Sequence, residues 1–562
     1  MAACPPSPPT KPSGAGWRPE AAPPFIRQQR SLTLAALRQG EFGVKFFDRL
    51  RQGLRRGAAA SALAALTVAL TGVAPAHADW LKAESERFIV YSDGGESKLR
   101  QFVQELEGYD RFLRLRMGLA VDEAPPRKLP IYLVNSRSGL LKVSPDLHEN
   151  IAGFYTATNE DIFGIALRDQ TVDTLKHEYA HHFMMQNFSY PYPGWFVEGF
   201  AEYYATVEIE KSRILVGKYN ENRAYWLQAA SWMPMTELLS KRPSPSTRSR
   251  DTYYPLAWLL THWFLGDTDR QKALSAYLRD VGAGGDPVEA MQRATGLDPT
   301  ELRRTLRRYM NGRIPYQGVM VTYPPVPITV TRLSRSADDL LLLNQRLKIG
   351  VPTEKRAATT EEVRRAAARH PDDPLALLAL GHAELHFGDP AAAEAPLQRL
   401  LALDPNHVEA LQYLARARME AAEDADDLED SDRLRGEAQG FLARAYRADD
   451  ANYATLLLIA ENRSGAPGYP NDNDLAVLEQ AFVLAPQLGA ARINLAQVLM
   501  SRDRNDEAIA LLEPMVNDPH RPSPAARTLL LRAKGQTEDE AAAQEAALAS
   551  LAEDEDDEAD GL

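Results

Sequence analysis

The chain has 562 residues, of which 44% are hydrophobic and 25% charged, so it is long enough for two or three ordinary soluble domains. Its formal net charge of −13 argues against a nucleic-acid surface and against binding to anionic lipid. The single cysteine, Cys4, excludes intrachain disulfides and thiolate zinc sites, which leaves histidine and carboxylate as the strong metal ligands.

Residues 1–78 have the pattern of an export leader. A basic patch around Arg55 precedes an apolar run over 57–74, and Ala76-His77-Ala78 closes the segment. This order predicts a secretory signal peptide that is cleaved after residue 78, and an exported product in the periplasm or secreted. The apolar run is near the lower length limit for a spanning helix, so an uncleaved inner-membrane anchor is the alternative. Only in that case would the chain contact a membrane.

Residues 79–313 mix short strands with helical patterns, which indicates an α+β domain. Strands are predicted at 88–91, 129–134, 151–155 and 161–167, and helices at 99–117, 172–186, 253–265, 270–281 and 300–309. A turn rich in proline and tyrosine separates the helix over 172–186 from another helix that starts near Trp195. The strands therefore come first, and a mostly helical remainder follows.

The second half of the chain has a different composition. A Pro-rich stretch over 314–340 predicts a linker, and the alternative is that its prolines over 315–327 mark a segment that contributes a strand to the first domain. Ala/Leu-rich helical patterns follow over 341–548. The last residues, 549–562, are dominated by acidic side chains and are predicted to be disordered.

The helical half carries a repeat. Pro371 recurs as Pro405 after 34 residues, a typical period for a helix-turn-helix repeat. Gly381 and Ala393 fall where the two helices of such a unit must approach closely. The segment resembles a tetratricopeptide-repeat (TPR) array, an all-α solenoid whose concave face suits a protein partner. A generic Ala/Leu-rich helical domain is the alternative.

The chemistry is carried by His177-Glu178-Tyr179-Ala180-His181, an H-E-x-x-H motif. On a helix, residues four apart lie on one face, so the two imidazoles can bind a single metal ion. Glu178 lies beside that face, where it can take a proton from a water molecule that the metal activates. His182 lies about 100° around the helix from His181, and we expect it to be structural.

A catalytic zinc ion needs a third protein ligand and one open position. Glu198 and Glu202 are four residues apart and share one face of the following helix. We expect Glu198 to coordinate the metal and Glu202 to accept the remaining ring N–H of a ligand histidine. The reverse assignment stays open. Trp195 and Phe196 are expected to pack this helix against the domain.

The H-E-x-x-H motif followed by Trp195-Phe196-Val197-Glu198-Gly199-Phe200-Ala201-Glu202-Tyr203 resembles the gluzincin metallopeptidases, which include thermolysin and the aminopeptidase-N-like enzymes. The similarity is greatest to the bacterial peptidase MA-like proteins. It implies a zincin-like metallopeptidase domain over 79–313. It also implies one Zn²⁺ per chain, held by His177, His181 and Glu198, and a peptide or protein substrate.

The resemblance implies two further features of the site. A tyrosine downstream of the ligands stabilises the oxyanion in this family, and Tyr254-Pro255-Leu256-Ala257-Trp258 resembles that segment. Tyr253 is the competing choice, and a packing role for both is the other alternative. Substrate pairs with an edge strand above the metal in gluzincins, and Asp161–Leu167 is our candidate for that strand. The G-A-M-E-N signature of the exopeptidase branch is absent, which favours an endopeptidase.

Three hypotheses follow for the function. The first is an exported zinc endopeptidase whose repeats recruit substrate or partner proteins. The second is a catalytically silent zinc-site protein that acts as a periplasmic adaptor, and the third is a zinc hydrolase of non-peptide substrates. Every predicted catalytic residue precedes residue 255, so we expect a fragment of residues 79–335 to fold and bind zinc without the repeats.

Overall fold

The computed structural model describes residues 80–149, 151–168, 172–188, 192–210, 212–241, 250–321, 323–516 and 523–537. The predicted leader over 1–78 and the predicted acidic tail over 549–562 lie outside these residues. Within the described ranges, none of the helices is both long enough and apolar enough to cross a bilayer.

Nine strands form two sheets in the described part of the chain. They are β1 (Leu81–Glu84), β2 (Phe88–Ser92), β3 (Leu129–Val134), β4 (Gly153–Ala157), β5 (Ile162–Leu167), β6 (Glu208–Ile209), β7 (Arg213–Val216), β8 (Gln317–Met320) and β9 (Thr329–Arg332). The main sheet has the order β4-β5-β3-β2-β1-β9, and the small sheet has the order β6-β7-β8. The four strands predicted before residue 170 are all present, with ends shifted by at most a few residues.

The main sheet is mixed, because β2, β3 and β5 run parallel while β1, β4 and β9 pair antiparallel to their neighbours. Its central strands are buried on both faces. Ile131 and Leu133 of β3 face one apolar cluster, and Tyr132 and Val134 face another, as the two-residue period of a strand requires. Such a sheet needs helices on each side.

The strand over Asp161–Leu167 was predicted to lie at the sheet edge, and this prediction is wrong. It corresponds to β5, which lies between β4 and β3 and pairs with both. Its side chains are nearly all buried, as expected for an inner strand. The edge position beside the metal-motif helix belongs to β4 instead.

Ten helices accompany the sheets in the described residues up to 310. They are α1 (Glu96–Met117), α2 (Arg137–Val143), α3 (Val172–Asn187), α4 (Gly194–Ala205), α5 (Glu221–Ala229), α6 (Met235–Ser240), α7 (Arg250–Leu265), α8 (Thr268–Gly282), α9 (Pro287–Thr295) and α10 (Pro299–Met310). Helices α1 and α3 pack on one face of the main sheet, and helix α2 packs on the other. The motif-bearing helix α3 thus lies directly on the sheet.

The stretch over 314–340, predicted to be a linker, contributes to both sheets. Strand β8 pairs with β7, and strand β9 pairs with β1 along the far edge of the main sheet. Pairing partners more than a hundred residues away make this segment part of the first domain. Pro324, Pro325 and Pro327 lie in the segment between these two strands, which leads from one sheet to the other.

The rest of the described chain is helical, as predicted. Its helices are α11 (Ser336–Ile349), α12 (Arg356–Ala368), α13 (Pro374–Phe387), α14 (Pro390–Leu403), α15 (Val408–Glu423), α16 (Leu428–Ala448), α17 (Tyr453–Arg463), α18 (Asp472–Leu484), α19 (Gly489–Met500), α20 (Asn505–Val516) and α21 (Pro524–Ala533). Successive helices pack in pairs, and α15 also contacts α13 and α17 along the inner side of the array.

The close approach predicted at Gly381 is present between α13 and α14. A methyl group on Gly381 would lie 2.5 Å from Cγ of Leu397 on the neighbouring helix. Ala393 is fully buried in the same interface. Small residues at these two positions let the paired helices pack tightly, as a helical repeat requires.

The two parts of the chain share a hydrophobic core. Ala337, Leu341 and Leu342 of α11 pack against Phe163 and Ile165 on the second face of the main sheet. The array beyond α16 joins the apolar cluster that contains α3 and α4. The boundary expected near residue 340 therefore does not separate two independent cores, and the expectation of a self-sufficient fragment 79–335 is not supported.

Candidate metal centre

Helices α3 and α4 bring three predicted ligands together. The Nε2 atoms of His177 and His181 are 3.1 Å apart. Each Nε2 atom lies 3.5 Å from Oε2 of Glu198. The three side chains come from two packed helices, so backbone structure on both sides fixes their positions.

These distances fit a transition-metal ion. Ligand atoms at about 2.0–2.1 Å from a tetrahedral zinc ion lie roughly 3.4 Å from one another. Glu198 is fully buried, and His181 is 7% exposed. A buried carboxylate is costly unless a cation or several donors neutralise it, and two imidazole nitrogens converge on this one. The donor set of two histidines and one glutamate suits zinc and leaves a position open.

Glu202 contacts the opposite side of His177. Its Oε1 atom lies 3.4 Å from Nδ1 of His177. The Nε and Nη2 atoms of Arg223, on α5, donate to the two oxygens of Glu202 at 2.9 and 2.6 Å. Glu202 thus lies within reach of Nδ1 of His177, and its role in orienting that ring stays a prediction. Arg223 was not identified from the sequence, because no motif marks it and α5 is remote from α3.

The electrostatic field at this cluster favours a cation. Burial lowers the pKa of His177, but the hydrogen bond to Glu198 and the charges of Glu202 and Glu178 outweigh it and raise the pKa to about 9. Three carboxylates therefore act on one imidazole. Any positive charge placed between His177 and Glu198, a proton or a metal ion, is stabilised by the same field.

Gly199 sets the position of α4 against α7. A methyl group at this residue would lie 2.2 Å from Oγ1 of Thr261 and 2.4 Å from the carbonyl oxygen of Ala257. The two helix backbones are thus in direct contact at the residue that follows Glu198. Trp195 and Phe196 are buried in the core, as predicted. Helix α4 is therefore held firmly, and with it the carboxylate of Glu198.

Tyr254 lies next to Arg223, the arginine that binds Glu202. Its ring is 5.3 Å from the guanidinium carbon of Arg223, within cation–π range. Tyr253 is 1% exposed and belongs to the hydrophobic core. Tyr254 is partly exposed, which makes it the better placed of the two tyrosines to meet a ligand.

Glu178 is half-buried, and it is near enough to Tyr155 of edge strand β4 to act on it electrostatically. Burial raises the pKa of Tyr155, on β4, and the negative charge of nearby Glu178 raises it further. The Tyr155 hydroxyl lies 3.1 Å from Nδ1 of His182. Burial, together with the charge of Arg127, lowers the pKa of His182 to about 3, so this ring is neutral. His182 is structural, as predicted, and Tyr155 is a further residue beside the centre that the sequence did not indicate.

The repeats enclose the turn between β4 and β5. The Tyr453 hydroxyl donates to the carbonyl oxygen of Thr158 at 3.0 Å, and the Tyr413 hydroxyl donates to Oε2 of Glu160 at 3.0 Å. A cavity of about 740 Å³ lies between this turn and the inner helices α13, α15, α17 and α19. The turn that ends the edge strand thus lies in the concave face of the helical array.

A family model for the tetratricopeptide repeat matches residues 374–417, which cover α13, α14 and the first part of α15. The helical part of the chain therefore contains tetratricopeptide repeats, whose concave face is of the kind that binds peptides and proteins. No curated protein matches the chain.

Two solved structures of other proteins show weak likeness. TTC0263, a thermophilic TPR protein in Thermus thermophilus, is 24% identical, with 35% of this chain and 98% of that chain covered and a TM-score of 0.30. Yeast Tom70 is 14% identical, with 78% of this chain and 84% of that chain covered and a TM-score of 0.28. These TM-scores do not indicate a shared overall fold.

Proposed function

We propose that this chain is a zinc-dependent endopeptidase of gluzincin type. The observation that supports this most is the convergence of His177, His181 and Glu198 at about 3.1–3.5 Å, with Glu178 next to the first ligand. A metal ion held by these three side chains would act as a Lewis acid that activates water and polarises the carbonyl of the substrate.

The side chains around the centre have distinct tasks in this proposal. Glu178 takes the proton of the attacking water and delivers it to the leaving amine. Glu202, clamped by Arg223, holds the His177 ring with Nε2 directed toward Glu198. Tyr254 donates a hydrogen bond to the oxygen that becomes negative during attack.

The substrate backbone pairs with β4 in this proposal. This strand ends the main sheet, and its Tyr155 is hydrogen-bonded to His182 on the motif helix. An extended peptide added to that edge would run along α3 beside the centre, with its main chain satisfied by β4. The repeats that surround the end of this strand then receive the rest of a protein substrate or a partner.

The predicted leader supports an exported enzyme. N-terminal sequencing of the protein from the native envelope fraction is expected to find Asp79 as the first residue. A membrane-bound chain that retains residues 57–74 would establish the inner-membrane anchor instead.

Metal removal tests the proposed activity. The full chain, stripped with a chelator and dialysed, is expected to lose cleavage of an unstructured peptide mixture and to regain it with about one equivalent of Zn²⁺ at this centre. Peptides with acetylated N-termini and amidated C-termini should be cleaved as well as unblocked ones, because an endopeptidase does not read the chain ends. Cleavage of unblocked peptides alone would indicate an exopeptidase.

The repeats favour one competing function, that of an adaptor. A zinc-loaded chain that cleaves no peptide but binds envelope proteins through its repeats would support the adaptor. Zinc-dependent hydrolysis of ester or amide substrates without peptide cleavage would support the non-peptide hydrolase.

A further inference from the structure

A second set of metal-ligand side chains lies about the turn between β4 and β5. Glu160 comes from the turn, and His382 and His386 are one helical turn apart on α13. Nε2 of His382 lies 3.0 Å from Oε2 of Glu160, and Nε2 of His386 lies 3.9 Å from Oε1 of the same carboxylate. One ligand atom from each residue can be chosen so that all three lie within 4.8 Å of one another.

The Nε2 atom of His382 gives the strongest indication of a metal site among these three side chains. It is fully buried, and Oε2 of Glu160 lies 3.0 Å away without the alignment of a good hydrogen bond. The oxygen is close, but it is not in the direction in which an N–H would donate. Atoms that share a metal ion have this relation, because their lone pairs point at the ion and not at each other.

The other nitrogen of His382 is already oriented. Nδ1 lies 3.1 Å from the Tyr413 hydroxyl, which lies 3.0 Å from Glu160 Oε2. With Nδ1 protonated, the ring donates to Tyr413, and Tyr413 donates to Glu160. This arrangement leaves the lone pair on Nε2 and holds the carboxylate beside it, which is how outer partners prepare histidine ligands for a metal.

We propose that Glu160, His382 and His386 form a second transition-metal site, separate from the centre on α3. Two imidazoles and one carboxylate suit zinc and related divalent ions. An ion held there would link the turn of the main sheet to α13, in the segment that the repeat model matches. Glu160 and His386 also line the 740 Å³ cavity, so an open position would be available to a donor group of a bound peptide.

Zinc content of the full chain tests the second site. We expect about two zinc ions per wild-type chain, and about one in His386→Gln and in Glu160→Gln. The side chains of His386 and Glu160 are 23% and 30% exposed, so replacing either one leaves the buried His382 in place. His370→Gln is the matched control, because His370 lies near Asp339 and outside the cluster, and it should retain both ions. The His177→Ala chain should also contain about one zinc ion, because it loses the ion of the α3 centre.

A cobalt measurement isolates the second site. In a chain with both His177 and His181 replaced by alanine, added Co²⁺ should give a visible absorption band that His386→Gln removes. Circular dichroism confirms that each variant is folded. A folded double-alanine chain that binds no Co²⁺, or a His386→Gln chain with the wild-type zinc content, would show that the cluster is an ion pair only. A chain that has lost only the metal ion of the α3 centre would still bind the ion that depends on His386. The proposed peptidase centre and the proposed second site can therefore fail independently.

Discussion

Arg223 is the side chain that fixes Glu202, and through it the ring of His177. Its two hydrogen bonds to Glu202 are short, at 2.9 and 2.6 Å, and its guanidinium also lies over Tyr254. One arginine therefore connects the metal ligand to the tyrosine expected to contact the substrate. Replacing it should affect both without removing any ligand.

Arg223→Gln is expected to weaken zinc binding at the α3 centre by about 10–100-fold, because outer partners of histidine ligands have effects of that size. Competition with a chelator of known affinity measures this change. Arg213→Gln is the matched control, since Arg213 is exposed and pairs with Glu210. Equal zinc affinity in Arg223→Gln and the wild type would show that Glu202 does not depend on Arg223 to hold the ring of His177.

Tyr254→Phe is expected to lower kcat by about 10²-fold or more while leaving the zinc content unchanged, because only the hydroxyl that meets the oxyanion is removed. Tyr253→Phe serves as the control, since Tyr253 is buried in the core. Peptide cleavage under saturating substrate distinguishes the two. A large loss in Tyr253→Phe and none in Tyr254→Phe would reverse the assignment.

Helix α4 holds Glu198 because it packs closely on α7 at Gly199. Gly199→Ala places a methyl group within 2.4 Å of the Ala257 carbonyl oxygen, so the helices must separate. We expect a loss of about 1–3 kcal/mol in the free energy of unfolding, together with loss of zinc. Denaturant unfolding and metal analysis measure the two effects.

Gly440→Ala provides the contrasting change for that experiment. Gly440 lies within α16, and nothing lies within 4 Å of the added methyl group. Removing a helical glycine there should raise stability by about 0.5–1 kcal/mol. If both alanines had the same effect, the contact between α4 and α7 would not be what positions Glu198.

Elements defined by local spacing could be predicted from the sequence, and elements defined by distant pairing could not. Helix α3 was predicted over 172–186 and spans 172–187, because its two histidines and its apolar residues follow the helical period. Strands β8 and β9 are short, mostly exposed segments of four residues each, and only their partners β7 and β1 make them strands. The same reason explains the misplaced edge strand, since β4 and β5 were both predicted as strands and only their pairing shows which of them is outermost.

The candidate site follows the same division. His177, His181, Glu198 and Glu202 come from two consecutive helices, and their i, i+4 spacing was visible in the sequence. Arg223 reaches the site from α5 and Tyr155 from β4, and no local pattern marks either one. Residues that support a site from elements distant in the sequence can be identified only from the tertiary structure.

At the scale of the whole molecule, the sheet and the repeats depend on each other. Helix α11 covers Phe163 and Ile165 on the second face of the sheet, and the repeats hold the turn between β4 and β5. A fragment of residues 79–335 keeps α2 on that face but would expose the part that α11 covers. Repeat proteins usually act as separable modules, but this array is packed onto the sheet that carries the metal helix.

Fragment 79–335 is therefore expected to be unstable, with no cooperative thermal transition and little bound zinc, whereas the full chain keeps both. Each Å² of apolar surface left uncovered costs about 25 cal/mol, and the fragment would lose burial both where α11 covers the sheet and where the repeats join the cluster of α3 and α4. A soluble fragment with a cooperative transition and wild-type zinc content would show that the shared core is dispensable.

The central claim, that the α3 centre is a zinc peptidase site with Glu178 as its base, is tested most directly by Glu178→Gln in the full chain. Zinc content and cleavage of a blocked peptide are measured together, with Glu221→Gln, an exposed glutamate on α5, as control. We predict wild-type zinc content and a loss of cleavage of about 10²–10⁴-fold in Glu178→Gln, with no change in the control. Unchanged cleavage in Glu178→Gln, or loss of its zinc, would contradict the claim.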